Sequence, residues 1–273
     1  GITVKANGRT FVFSKEDGQL KDVSVNNRKI SFANGPRFIG ARRADRSLDQ
    51  FYNHDDEKAK AKDRTYSEFT DAAVFTKLDV KEEGGNLVLT ANYKLGNLDK
   101  AQWTIHPDGM ATLDYTYNFS GVVDLMGICF DYPEGQVLSK RWLGAGPYRV
   151  WQNRIHGTQY DIWENDYNDP IPGETFTYPE FKGYFGSVSW MSIRTKEGTI
   201  SLTNETPDSY IGVYQPRDGR DRLLYTLPES GISVLNVIPP VRNKVNSTDL
   251  CGPSSQPKWV DGPQTGRLVL RFE

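Results

Sequence analysis

The feature that most constrains this fold is a strict alternation of apolar and polar residues within short segments. The clearest case is Met110–Phe119. Its large apolar and aromatic side chains recur at every second position: Leu113, Tyr115, Tyr117 and Phe119. Polar residues fill the intervening positions: Thr112, Asp114, Thr116 and Asn118. Successive side chains of an extended chain point to opposite faces, so this pattern predicts a strand with one face in a core.

Short groups of turn-forming residues separate many such segments: Glu16-Asp17-Gly18, Asn26-Asn27, Glu83-Gly84-Gly85, Pro107-Asp108-Gly109 and Lys196-Glu197-Gly198. Further predicted strands lie between and beyond them: Thr10–Ser14, Leu20–Val25, Lys29–Phe32, Val74–Val80, Asn86–Leu95, Ala101–His106, Leu125–Tyr132, Tyr184–Arg194, Thr199–Asn204, Tyr210–Tyr214, Leu223–Leu227, Ile232–Val237 and Leu268–Phe272. About a dozen strands joined by tight turns predict an all-β fold, a large sandwich of two sheets.

One charged stretch interrupts this series. Arg42–Asp71 contains Arg42-Arg43, Asp55-Asp56-Glu57 and alternating lysines at 58, 60 and 62. A short helix around Leu48–Lys60 is compatible with it, but a solvated, mobile connection is the preferred interpretation. The roughly 40 residues before it are too few for an independent core. We therefore predict one domain over residues 1–273.

Composition narrows the possible partners. The formal net charge is −2, which gives no electrostatic basis for binding nucleic acid or an acidic membrane surface. No run approaches the ~18 apolar residues that a membrane span needs. Aromatic residues make up 12% of the chain and suit the binding of neutral glycans. The chain begins with Gly1 instead of Met. We expect that a targeting segment has been trimmed away and that the protein is periplasmic or extracellular.

Cysteines and histidines give no sign of a catalytic or metal centre. Cys129 and Cys251 are too few for a disulfide framework, and we expect free, buried thiols. Neither cysteine lies in a CxxC pattern, and His54, His106 and His156 lack the HExxH spacing. There is no GxSxG nucleophile motif. No catalytic or metal-binding residue is therefore assigned.

The segment Trp142–Arg154 concentrates groups that could contact a ligand. It leaves a strand, breaks at Gly144-Ala145-Gly146-Pro147 and then presents several aromatic, guanidinium and amide side chains: Tyr148, Arg149, Trp151, Asn153 and Arg154. Binding residues often lie on loops that a rigid scaffold holds in place. Two interpretations remain open: contact with a ligand, and structural packing under a neighbouring domain. Under the first, Trp151, Asn153 and Arg154 are the strongest candidates, and replacing Trp151 with alanine should leave the fold largely intact.

Two later segments are also candidates. Tyr160–Pro170 contains four acidic residues and Trp163, and its Asp161–Asp169 loop suits either a calcium site or simple solvation. The spacing does not match an EF-hand. Glu180 follows within Tyr178-Pro179-Glu180. A polar, Pro-containing loop from Asn246 leads to the last strand and supplies Asp249 and Trp259 as further ligand-binding candidates.

Taken in order, these segments resemble the C-terminal domain of glycoside hydrolase family 2 β-galactosidases, the β-galactosidase small chain. Trp142–Pro147 with Asn153-Arg154 resembles the family segment W-Y-G-R-G-P-x-E-N-Y-x-D-R. Other matches keep the family order along nearly the whole chain: Phe13–Gly18, Gly35-Pro36, Arg43-Ala44, Gly127–Phe130 with Pro133, Tyr178–Glu180, and Asn246–Asp249 with Trp259. Ala145 stands where the family has Arg, and Arg149-Val150-Trp151 where it has Glu-Asn-Tyr.

The resemblance implies a β-supersandwich that is similar in fold to galactose mutarotase. Such a domain packs against a catalytic barrel and lends residues to the rim of its sugar site, while the catalytic glutamates belong to the barrel. Two alternatives remain open. A free-standing mutarotase-like or lyase-like enzyme would need His106 or His156 to face a carboxylate across a cleft. A pure sugar-binding or assembly module would need neither.

Overall fold

Two antiparallel sheets form the fold in the computed structural model, which describes residues 1–43, 66–166, 183–213, 228, 230–240 and 253–273. Ten strands build the first sheet: β1 (Ile2–Ala6), β2 (Arg9–Phe13), β3 (Leu20–Val25), β4 (Arg28–Ile30), β5 (Ala33–Arg43), β6 (Tyr66–Glu68), β11 (Leu125–Asp131), β14 (Phe185–Gly186), β17 (Tyr210–Val213) and β18 (Ile232–Val237). Nine build the second: β7 (Val74–Glu83), β8 (Asn86–Lys94), β9 (Leu98–Ile105), β10 (Ala111–Val123), β12 (Val137–Gly146), β13 (Gln159–Asp166), β15 (Trp190–Thr195), β16 (Thr199–Asn204) and β19 (Lys258–Phe272).

The strand order places distant parts of the chain side by side. The first sheet runs β1-β2-β3-β5-β11-β18-β17-β14, with β4 paired to β3 and β6 to β5. The second runs β13-β12-β15-β16-β19-β10-β9-β8-β7. Two short 3₁₀ turns, Glu134–Gln136 and Pro253–Ser255, complete the regular structure of the described residues. None of the helices in the described ranges has the length and apolar character needed to cross a membrane.

The predicted alternation is confirmed where one face of a strand meets the core. In β10, Leu113, Tyr115 and Tyr117 are buried, whereas Asn118 is exposed. The predicted Asn26-Asn27 turn is also confirmed, because both residues have positive φ (49° and 66°) and Val25 pairs with Arg28 across the turn. Asparagine tolerates this left-handed conformation better than most side chains, which explains its use in two-residue hairpins.

The main core lies between the two sheets and interlocks their aromatic side chains. Trp103 of the second sheet sits between Phe13 and Phe130 of the first, with ring centroids 5.9 and 6.1 Å away. Phe130 in turn stacks on Phe32 at 4.5 Å. Aromatic pairs at these separations contribute packing energy beyond the area that they bury. The all-β, two-sheet sandwich predicted from the sequence is therefore what the chain forms.

A second, smaller core covers the opposite face of the first sheet. Ile39, Leu125 and Leu235 project from its central strands and are buried by Trp151 and Tyr184. The central part of the first sheet is thus buried on both faces. This explains why β5 was not predicted from the sequence. Buried on both sides and interrupted by Gly35-Pro36 and Gly40, it carries no alternating pattern.

The connection that was predicted over Arg42–Asp71 is shorter in the structure, because residues near both of its ends belong to strands. Arg42 and Arg43 belong to β5, and Tyr66–Glu68 returns as β6 to pair with that strand. Asp71 accepts hydrogen bonds from the backbone N–H groups of Ala73 (3.0 Å), Asn97 (2.6 Å) and Leu98 (3.2 Å), and so fixes the β8–β9 turn. Residues 44–65, with the helix proposed around Leu48–Lys60, and the predicted strand Leu223–Leu227 lie outside the described residues.

Cys129 is a free, buried thiol, as predicted, whereas Cys251 lies outside the described residues. Burial raises the pKa of the Cys129 thiol from 9.0 to about 11, and the nearby Arg37 guanidinium offsets only part of this rise. The folded state therefore keeps a proton that the unfolded state loses. The contribution of this group to stability should fall as pH rises from about 9 to 11.

We expect Cys129 to be unreactive toward DTNB at about pH 8 while the protein is folded, since only the accessible thiolate attacks the reagent. A Cys251→Ser background isolates Cys129 for the measurement. The same variant in concentrated guanidinium chloride should release one equivalent of thionitrobenzoate within seconds to minutes, which provides the control. Fast reaction in buffer alone would show that the thiol is accessible.

Candidate functional site

The first part of the Trp142–Arg154 segment is a strand and not a loop, which corrects the sequence prediction. Trp142–Gly146 completes β12, and neither Gly144 nor Gly146 has a positive φ. The two glycines serve close approach instead. A Cβ at Gly144 would lie 3.0 Å from the carbonyl oxygens of Gly186 and Ser187, and one at Gly146 would lie 2.3 Å from Cδ1 of Trp163. The glycines therefore let β12 run close to β14 and to a flanking indole.

The segment joins the two cores. Trp142 is fully buried in the main core, where its ring meets Phe185 edge-on at 4.8 Å. Trp151 is 2% exposed in the second core and meets Tyr184 edge-on at 5.5 Å. Between them, the backbone N–H groups of Val150 and Tyr184 donate to each other's carbonyls at 2.7 and 2.8 Å. The indole of Trp151 is therefore part of the packing, which contradicts the expectation that replacing it with alanine leaves the fold largely intact.

Gln152 ties this segment to two others that are distant in sequence. Its backbone N–H donates to the carbonyl of Pro239 at 3.0 Å. Its buried Nε2 donates to the carbonyls of Ser254 (2.8 Å) and Gln256 (2.7 Å). The Trp142–Arg154 segment is thus fastened to the chain that leads into β19, where Trp259 is 71% exposed. Sequence reasoning passed over Gln152, although it lies between Trp151 and Asn153.

The other predicted ligand residues fall into three groups. Tyr148 and Arg154 are exposed, as is Trp259. Arg149 is buried and Asn153 is half-buried, and both make contacts within the fold. Glu180 and Asp249 lie outside the described residues. The ligand-binding roles of all of these residues remain predictions.

The acidic segment was predicted as a loop, but its described part is the edge strand β13. Most of its side chains are exposed, so burial imposed no apolar period that the sequence could reveal. Trp163 is the exception. It packs on the main core, and its indole N–H donates to the carbonyl of Gln159 at 3.1 Å. Within the described ranges no three His, Cys, Asp or Glu side chains are placed to hold a metal. Residues 167–169 of the proposed calcium loop lie outside those ranges, and that site remains a prediction.

A polar cleft of about 230 Å³ opens beside the end of β12. Ala145, Val150 and Ile155 of the segment and its continuation form one wall. Hydroxyl, amide and carboxylate side chains line much of the rest. Thr158 comes from the chain just before β13, and the others come from β16, β17 and the connections beside β14 and β16: Ser187, Asn204, Thr206, Asp208, Ser209 and Tyr210. None of the seven predicted ligand residues that lie in the described ranges lines this cleft. The signal that was missed is the run of polar residues from Asn204 to Ser209, directly after a strand.

Hydrogen bonds hold the polar wall in place. Asn204 Nδ2 donates to Ser209 Oγ at 2.8 Å, and Ser209 Oγ donates to the carbonyl of Thr206 at 2.8 Å. Asn204 Oδ1 accepts the backbone N–H of Thr206 at 3.1 Å. The Thr206 hydroxyl also accepts the backbone N–H of Arg267 on β19, at 3.0 Å. Rotamers fixed in this way lose little entropy when a ligand binds.

The chemistry of the cleft suits binding of a neutral, hydroxyl-bearing group. Among its described lining residues, Asp208 carries the only carboxylate, and no histidine contributes. Burial raises the pKa of the Tyr210 phenol, and the Asp208 charge raises it further, so Tyr210 remains a neutral hydroxyl at physiological pH. The described lining supplies one carboxylate, whereas glycoside hydrolysis commonly uses a pair. The hydroxyl and amide groups of the described lining offer hydrogen bonds to such a ligand.

An apolar row crosses the sheet surface next to the cleft. Ile162 on β13, Leu143 on β12 and Trp190 on β15 are register partners in adjacent strands. Tyr160, the partner of the cleft residue Ala145, extends the row. Ile162 is 49% exposed and Tyr160 is 59% exposed. Contiguous exposed apolar side chains of this kind often mark interaction surfaces.

The family of the chain follows from a sequence comparison. The family model described as "Beta galactosidase small chain" matches residues 5–236. The chain belongs to the β-galactosidase small-chain family. The resemblance seen in the Trp142–Arg154 segment is thereby confirmed, and this small-chain domain is a carbohydrate-associated one. The match includes the cleft and the apolar row but ends before Trp259.

Solved structures with a similar arrangement share little sequence with this small-chain domain. An α-N-acetylgalactosaminidase from Bifidobacterium bifidum has 10% identity and a TM-score of 0.45, with 100% of this chain covering 36% of that one. Galactose 1-epimerase from Lactobacillus acidophilus has 8% identity and a TM-score of 0.47, with coverages of 99% and 93%. A galactose mutarotase-like protein from Lactobacillus casei has 11% identity and a TM-score of 0.41, with coverages of 100% and 99%. No curated protein sequence matches significantly.

Proposed function

We propose that the chain is a non-catalytic domain of a family 2-type glycoside hydrolase, which packs against a catalytic barrel and shapes the sugar site of that barrel. The observation that carries this proposal is the apolar row beside the hydroxyl-lined cleft. The row supplies an apolar surface for a protein partner, and the cleft supplies hydrogen-bonding groups for a sugar at the edge of that surface.

The packing of Trp142–Arg154 supports a structural role for the family segment in this proposal. Its tryptophans are anchored in two cores, so the wall that it gives to the cleft is rigid. Rigid support of a binding surface reduces the entropy lost on association. In this arrangement the segment holds the cleft and the row in position relative to each other.

A free-standing mutarotase-like enzyme is the competing proposal. His106 Nε2 lies 2.9 Å from the Thr112 hydroxyl, and His156 is exposed. Neither histidine lines the cleft described above. Polarimetry with freshly dissolved galactose and other aldoses distinguishes the two proposals. Rapid anomerisation by the purified chain would favour the enzyme over the accessory domain.

The gene upstream of the Gly1 codon, or a neighbouring gene, should encode a (β/α)₈ barrel. An Ile162→Asp variant of this domain should then bind the barrel at least about tenfold more weakly, because an interface would have to desolvate the new carboxylate. Analytical ultracentrifugation of the two polypeptides measures the affinity. Hydrolysis of a nitrophenyl galactoside measures the activity that the barrel gains when this domain binds it.

Val80→Asp provides the matched control for this experiment. Val80 is 43% exposed on β7, at the opposite edge of the same sheet. The Val80→Asp substitution should leave barrel binding unchanged. If both variants bind the barrel equally well, the apolar row is not part of the interface. A gene context without any barrel would overturn the proposed function.

A further inference from the structure

A larger cavity, of about 650 Å³, opens on the other side of the molecule from β12 and β13. It lies between β5 of the first sheet and β7 and β8 of the second. The turn around Glu16-Asp17 and the chain from Glu68 to Ala73 complete its lining. Its volume is within the range of small-molecule sites. The described lining residues of this cavity and of the cleft beside β12 have no member in common.

Aromatic rings form two facing walls of this cavity. Phe75 and Tyr93 meet edge-on at 5.9 Å on the second sheet. Phe38 and Phe69 line the other side, and both stack on Phe119, at 6.1 and 5.5 Å.

Two glycines allow these rings to take their positions. A Cβ at Gly18 would lie 2.8 Å from Cε2 of Phe75. One at Gly40 would lie 2.8 Å from Cζ of Phe38 and 2.9 Å from Cδ2 of Phe69. The ring faces are therefore held in place by packing before any ligand arrives.

The described charged side chains that line the cavity are predominantly acidic. Four carboxylates line it: Glu16, Asp17, Glu68 and Asp71. Asp17 also pairs with Lys21 at 2.6 Å, and Asp71 accepts the three backbone N–H groups described above, so a bound cation would share these two carboxylates with their present partners. Arg37 is the one basic side chain among the described lining residues, and its guanidinium is already paired with Asp131 at 2.6 Å. The negative charge of these acids also affects the neighbouring Tyr93. Burial raises the pKa of the Tyr93 phenol, and the charges of Asp17 and Asp71 add to that rise.

Aromatic faces together with carboxylates favour a cation over a neutral or anionic ligand. Ring faces attract ammonium groups through their quadrupole, and carboxylates attract them by charge. We propose that this cavity binds a protonated organic amine on a compact polar body, an amino sugar in the carbohydrate-associated setting of the proposed function. The carboxylates contact the ammonium group, and the rings of Phe75 and Tyr93 contact the sugar ring.

Calorimetric titration of the intact chain with glucosamine, at about pH 6, tests this proposal. Glucose and N-acetylglucosamine are the neutral controls of matched shape. We expect glucosamine to bind at least about tenfold more tightly than either, and added salt to weaken its binding. Equal affinities, or no binding of glucosamine, would overturn the proposal.

Two variants locate the site. Phe75→Leu keeps an apolar side chain but removes a ring face, and it should weaken glucosamine binding about 2- to 30-fold. Glu16→Gln changes an exposed residue and should weaken glucosamine binding without destabilising the fold. Leu138→Ala changes an exposed residue of β12, on the other side of the molecule, and should have no effect. Glucosamine binding that survives both cavity variants would place it elsewhere.

The two proposals fail separately. Loss of barrel binding in Ile162→Asp with unchanged glucosamine affinity would leave both standing. If the wild-type chain binds a barrel but not glucosamine, only the proposed ligand of the cavity is overturned. If the chain binds glucosamine but has no barrel partner, only the proposed accessory-domain function is overturned.

Discussion

Replacing Trp151 with alanine is expected to lower the free energy of unfolding by about 3–5 kcal/mol. Its indole is 2% exposed and packs edge-on against Tyr184 in the core behind the first sheet. Removing it leaves a cavity next to Val150, whose backbone pairs with Tyr184. Urea denaturation followed by tryptophan fluorescence and far-UV circular dichroism measures the change.

Tyr148→Ala is the control for this experiment, because Tyr148 lies in the same segment but is 47% exposed. It should change stability by no more than about 0.5 kcal/mol. A Trp151→Ala protein as stable as the wild type would show that the indole is not part of the packing and would restore the ligand-contact interpretation of this residue.

Glu197→Ala is expected to destabilise the fold by about 2–4 kcal/mol, although Glu197 lies in a turn and is only half-buried. Its carboxylate accepts hydrogen bonds from the Ser31 N–H (2.9 Å), the Ser31 hydroxyl (2.5 Å) and the Tyr132 hydroxyl (3.1 Å). The turn between β15 and β16 of the second sheet is thereby fastened to the chain of the first. Without the carboxylate these donors lose their partner, and the polar link between the two sheets at this turn is removed.

Thermal unfolding of two further variants tests this explanation. Glu197→Gln keeps an acceptor oxygen and should recover about half of the lost stability. Glu205→Ala removes an exposed carboxylate that pairs with the exposed Arg267, at 3.3 Å, and should cost no more than about 0.5 kcal/mol. Equal stability of the Glu197→Ala and Glu205→Ala proteins would show that the contacts to Ser31 and Tyr132 contribute little.

The sequence predicted those parts of the fold that depend on local chemistry. The period of two in β10 and the paired asparagines at 26 and 27 report burial on one face and a left-handed turn, and both are confirmed. β5 and β13 were missed for opposite reasons, since β5 is buried on both faces and β13 is largely exposed on both. Neither environment imposes alternation on a strand.

The candidate site was harder to predict because it depends on which strands become neighbours. Trp151 is a residue type that often contacts ligands. Its burial depends on the pairing of Val150 with Tyr184, which no local sequence pattern reveals. Ala145 carries no chemical signal of its own. It lines the cleft because β12 lies close to β14 and because the turn after β16 folds toward it. These proximities join residues about 40 to 65 positions apart, beyond the reach of any local pattern.

The position of β19 in the second sheet has a consequence for the order in which the protein can be assembled during synthesis. This strand lies between β16 and β10, so β13-β12-β15-β16 and β10-β9-β8-β7 meet only through it. Both groups of strands leave the ribosome earlier than residues 258–272. Until then each has an open edge at β16 or β10, which exposes unpaired backbone groups that other chains can pair with. Chaperone protection of a nascent chain would therefore be most valuable in the interval before β19 emerges.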